Sequence, residues 1–84
     1  EPLATLESSS GRIKCLSFSP DGEWLATGGA DGSIRLWGVT DRRELSATPA
    51  HKNTVYGVTF NPAGNLLASA GFDRSIHLWD IRRD

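Results

Sequence analysis

Asp31-Gly-Ser-Ile-Arg-Leu-Trp37 and Asp73-Arg-Ser-Ile-His-Leu-Trp79 are near copies of one another, 42 residues apart. Each reads as a tight turn feeding a short strand that ends in tryptophan. The same shift places Phe18 on Phe60, Pro20 on Pro62, Gly22 on Gly64 and Leu25-Ala26 on Leu67-Ala68. It also pairs Ile13 with Val55, Leu16 with Val58, Thr27 with Ser69 and Val39 with Ile81. Two units of 42 account for all 84 residues. A unit this short does not bury its own hydrophobic face and needs a neighbour to do so.

Within each unit the signals are those of strands. Ile13 to Ser19 alternates apolar with small or polar residues. Ser19-Pro-Asp-Gly22 is a turn, with proline presetting φ and glycine accepting φ > 0. Trp24 to Gly28, Ser33 to Trp37 and Glu44 to Thr48 follow as further strands, separated by Gly29-Ala-Asp-Gly32 and by the polar corner Thr40-Asp-Arg-Arg43. The second unit repeats three strands between Val55 and Trp79 and shows no fourth. At the other end Pro2 to Glu7 reads as a spare strand, its Leu3 matching Leu45, followed by the polar loop Ser8-Ser-Ser-Gly11.

These residues, in order and twice, resemble the WD40 repeat, the four-stranded blade of a β-propeller. The resemblance covers the whole chain and rests on Phe18-Ser-Pro-Asp-Gly22, Leu25-Ala-Thr27, Asp31, Ser33 to Trp37 and their counterparts through Trp79-Asp80. It implies an all-β chain of antiparallel four-stranded blades, the first over about residues 11–49 and the second over about 53–81. The fourth strand of the second blade is then expected from residues 2–7 of another copy. The resemblance also implies that His51, Ser69, Asp73 and Trp79 form a structural hydrogen-bond network, with Thr27, Asp31 and Trp37 as its first-blade remnant. Ser9 stands where His51 is matched and Gly38 where Asp80 is matched, so the first blade is expected to be the less tightly wired.

His51, Ser69 and Asp73 also invite a catalytic-triad reading. Mutual satisfaction of a buried imidazole, hydroxyl, carboxylate and indole N–H is the stronger account, because a triad needs an exposed nucleophile and oxyanion donors. Gly28-Gly-Ala-Asp-Gly32 lacks the Gly-Lys-Ser/Thr ending of a phosphate cradle, and no helix follows. His51, His77 and Cys15 have no metal-ligand spacing. No cofactor and no metal are therefore expected. His77, in the place of Arg35, is read as part of a solvated strand face.

Composition sets the remaining bounds. A formal net charge of −1 gives no global field for nucleic acid or an anionic membrane, and no apolar run approaches a membrane span. The lone Cys15 favours a reducing, cytoplasmic setting. The absence of methionine suggests an excised segment. The expected function is a non-enzymatic protein-interaction scaffold. Its candidate partner surface is Arg12, Lys14, Lys52, Asn53, Tyr56, Phe72 and Arg74, a mixture of aromatic and basic side chains suited to binding. Counting strands and faces points to self-association into a closed ring, four copies first and three second, since propellers hold about four to eight blades. The alternative is an excised or engineered piece of a larger regulatory protein, such as a kinase or ATPase with appended blades, with no activity beyond assembly.

Overall fold

The computed structural model describes residues 5–6 and 11–81. Among the described residues, seven strands form two antiparallel sheets. The first sheet runs β1 (Ile13–Phe18), β2 (Trp24–Gly29), β3 (Ser33–Gly38) and β4 (Arg43–Pro49), in sequence order. The second runs β5 (Val55–Phe60), β6 (Leu66–Gly71) and β7 (Ile76–Asp80), also in sequence order. Consecutive strands pair because each connection is a tight turn. Gly22 (φ 76°) donates to the Ser19 carbonyl at 2.9 Å, and Gly64 (φ 78°) repeats the bond to Asn61.

Alternation gives each sheet two different faces. On the first sheet, Cys15, Ala26, Ile34 and Leu36 turn toward the second sheet, while Leu16, Leu25, Thr27 and Trp37 turn away. On the second sheet, Val55, Val58, Leu67 and Trp79 turn toward the first. The core thus lies between the sheets, with Ala26, Val55 and Leu67 at 0%, 0% and 1% exposure. Burying side chains such as Val55 and Leu67 stabilises the pair by roughly 1.5–3 kcal/mol each. At Gly28 the two sheets approach closely, since a Cβ there would lie 2.5 Å from Val55 Cγ1.

Two further features bear on the sequence-based expectation. Of the strand expected over Pro2 to Glu7, only Thr5 and Leu6 are described, and neither pairs as a strand; the rest lies outside the described residues. Leu6 lies over the outward face of the first sheet, in a cavity of about 260 Å³ shared with Ile13, Leu16, Leu25, Thr27 and Trp37. Secondly, β1 and β5 each carry a bulge, at Ile13/Cys15 and Val55/Gly57. The residues inside the bulges are Lys14 and Tyr56, themselves 42 apart.

Candidate functional site

His51 sits just after β4, at the start of the segment that leads into β5. Its ring is fully buried between β6 and the β6–β7 turn. The Asp73 carboxylate can only accept, so His51 Nδ1, 3.0 Å from Asp73 Oδ1, carries the proton. In the neutral imidazole this leaves Nε2 to accept from the Ser69 hydroxyl at 2.9 Å. Ser69 Oγ in turn accepts from Trp79 Nε1 at 3.0 Å. The result is a one-way chain of donors from indole to hydroxyl to imidazole to carboxylate. Asp73 also accepts from the Ser75 hydroxyl at 2.7 Å, the Ser75 amide at 3.2 Å and the Lys52 amide at 3.1 Å. These bonds, led by the Ser75 hydroxyl and joined by His51, hold its carboxyl well below the usual carboxylate range.

The order Ser–His–Asp matches that of a triad, yet Ser69 is 1% exposed and its oxygen already holds the indole N–H. A substrate carbonyl has no approach to it. What the chain of bonds does is tie three pieces of backbone, β6, β7 and the loop after β4, to one imidazole.

Among the described residues, the first sheet shows the outer part of this arrangement. Trp37 Nε1 donates to Thr27 Oγ1 at 3.0 Å, and Asp31 accepts from the Ser33 amide at 3.0 Å. Arg35 is buried on this sheet, with Nε 3.2 Å from Glu44 on β4 and Nη1 3.9 Å from a second carboxylate, Asp31. Position 77 is not the solvated face expected of it: His77 is half-buried, its ring 4.7 Å from that of His51 and 5.7 Å from that of Trp79. The tryptophan face of the strand is therefore the covered one. Ser75 was not anticipated as a partner of Asp73, although its place two residues on is the usual reach of an Asx turn.

The seven residues of the expected partner surface are all exposed. Tyr56 and Phe72 are brought together edge to face, with centroids 5.6 Å apart and rings at 83°. They are 58% and 63% exposed, so this aromatic pair is presented to solvent rather than used in the core. Tyr56 reaches the rim because the bulge in β5 turns it out of the sheet; Lys14 occupies the matching place in β1. Arg74 holds φ at 72°, where its period-mate Gly32 has 87°. Cys15 packs its sulfur 3.6 Å from the Val55 carbonyl, and burial pushes its thiol pKa up.

A family model described as WD domain, G-beta repeat, matches residues 1–38 and 42–80. Among similar proteins is a probable cytosolic iron-sulfur protein assembly protein 1 of Cryptococcus neoformans, 42% identical over 53 residues. Another is the ribosome biogenesis protein ERB1 of Debaryomyces hansenii, 51% identical over 37 residues, and a third the ribosome biogenesis protein BOP1 of Homo sapiens, 49% identical over 37. These alignments take in 56%, 44% and 44% of the present chain. They span only 12%, 5% and 5% of the relatives' own lengths.

Proposed function

Because this chain belongs to the WD40-repeat family, we propose that it is a non-enzymatic protein-interaction scaffold whose two blades complete a propeller by head-to-tail association with further copies. One observation carries the reading: matched residues on the two sheets are exposed reciprocally. Ile13, Leu16 and Phe18 are 42%, 59% and 58% exposed on the outward face of the first sheet, whereas Val55 and Val58 are 0% and 9% exposed. Ile76 and Leu78 are 74% and 72% exposed on the far face of the second sheet, whereas Ile34 is 5% exposed. Each open face is thus the counterpart of a face that the internal junction covers. Leu6 adds support, since it lies by Leu25 and Trp37 as its period-mate Thr48 lies by Leu67 and Trp79. Open apolar faces of this kind mark association sites.

Four copies would give eight blades and three would give six, both within the range of about four to eight. The reading takes in a cytoplasmic setting and a partner surface centred on Tyr56 and Phe72. Sedimentation equilibrium tests it: a particle of three or four times the 9.1 kDa of one chain is expected. A folded monomer at micromolar concentration would defeat it.

A second reading is favoured by the small share of each relative that the chain spans, 12% and 5% in the first and second named. In it, further blades on the same polypeptide cover both faces. Expression with the flanking coding sequence would then give a monomeric ring.

A further inference from the structure

The internal junction supplies a template for how one blade receives the next. Val55 of the second sheet presses into the first beside Gly28 and Cys15, so closely that a Cβ at Gly28 would lie 2.5 Å from Val55 Cγ1 and 2.7 Å from Cys15 Sγ. On the far face of the second sheet the period-mates of Gly28 and Cys15 are Ala70 and Gly57. The methyl gained at 70 is matched by the side chain lost at 57. A hollow of about 300 Å³ remains there, lined by Gly57, Thr59, Ala68, Ala70 and Ile76 among others. The period-mate of Val55 is Ile13, exposed on the opposite end of the molecule. The receiving surface and the inserting side chain have both kept their complementary form.

The rim of the two junctions differs. At the internal one, a Cβ on Gly32 would collide with the carbonyl of His51 and lie 2.8 Å from that of Asn53. Backbone bonds hold that loop in place, since the Ala50 and His51 amides donate to the Gly32 carbonyl at 3.0 and 2.9 Å. On the second sheet the same turn, with the same 3.2 Å closing bond, carries Arg74 in place of glycine. A Cβ therefore stands at the position that glycine leaves open to the His51 carbonyl at the internal junction. The residue keeps a left-handed φ of 72°, a conformation that strains a non-glycine residue.

Resting on the head-to-tail reading above, we propose that the hollow on the far face of the second sheet seats Ile13 of a second copy, and that the Cβ of Arg74 wedges the rim of that seat, keeping the end-to-end junction weaker than the internal one. The fit at the centre selects a second copy; the misfit at the rim makes its association reversible.

Dissociation constants from sedimentation velocity across a concentration series test this, with circular dichroism to check folding of each variant. Arg74→Gly should tighten association by about tenfold or more, whereas Arg74→Ala, which keeps the Cβ, should stay within about twofold of the parent. Relief of backbone strain at position 74 acts on free and assembled chains alike, so it moves unfolding midpoints and cancels from the dissociation constant. Ala70→Leu, which fills the hollow at an exposed position, should weaken association by about tenfold or more, as should Ile13→Asp. Equal tightening by Arg74→Gly and Arg74→Ala would overturn the wedge in favour of a charge effect. Unchanged association in both Ala70→Leu and Ile13→Asp would overturn the seat while leaving assembly in place. A parent chain that stays monomeric throughout would overturn the head-to-tail reading itself.

Discussion

Ile34 and Ile76 occupy the same place in successive repeats, and the first is 5% exposed while the second is 74% exposed. The difference is the neighbouring sheet: Ile34 packs against Leu67 and Trp79, and no described residue covers Ile76 in this way. The pair separates what stabilises the chain from what it offers to a partner.

Ile34→Ala is expected to destabilise the fold by about 2–5 kcal/mol, the range for truncating a buried aliphatic side chain. Ile76→Ala should leave a dilute chain within about 0.5 kcal/mol of the parent, as exposed substitutions do. It should nonetheless lower the mass of the particle in solution. Denaturant titrations at low and high protein concentration separate the two effects. Equal stability losses from the two substitutions at low concentration would contradict the assignment.

Replacing His51 by alanine leaves Asp73 and the Ser69–Trp79 pair without their shared partner, and a loss of about 1–3 kcal/mol is expected. Ser9→Ala, at the matching position of the first unit, should cost far less. The contrast tests whether the imidazole is the tie between β6, β7 and the loop after β4. Matching shifts in the denaturation midpoint would remove that role.

Stability should fall in acid through Asp73. Its folded pKa is depressed, so the unfolded chain binds the proton more readily, and protonation favours unfolding. The contribution is fully present above the ordinary aspartate pKa of about 4 and is lost progressively as pH drops below it. Asp73→Asn should be less stable near neutral pH and show a flatter decline below about pH 4. Thermal unfolding of both forms between neutral pH and pH 2 gives the comparison; parallel curves would assign the acid sensitivity elsewhere.

Tyr56→Ala and Phe72→Ala should each weaken capture of any protein partner while leaving folding nearly unchanged. The edge-to-face pair itself should contribute about 0.5–1.5 kcal/mol in a double-mutant cycle on binding. A partner that survives both substitutions but is lost with Arg42 would place the binding surface at the β3–β4 corner.

The strands and turns were legible because each carries its own local signal. Gly22 and Gly64 announce turns, and Leu25, Thr27 and their neighbours alternate. The members of the hydrogen-bond chain were legible through the resemblance to the WD40 repeat, which implies that these positions satisfy one another. The bulges that turn Lys14 and Tyr56 outward were not, because a bulge exists only between two paired strands and neither strand's sequence contains the count. Arg35 and His77 look like surface residues by type. Their covering depends on Glu44 in one sheet and on the rings of His51 and Trp79 in the other.

By itself the sequence determined the period of 42, the strands within it, the tight turns and the set of polar groups that must satisfy one another. Each of these depends on contacts within a unit, or on chemistry that any neighbour would satisfy. Only the tertiary structure decided which member of each matched pair is buried. A repeat writes the same apolar pattern twice, but two units share a single internal junction. Ile34 and Val55 are covered by that junction, and Ile76 and Ile13, identical in pattern, face outward at its two ends.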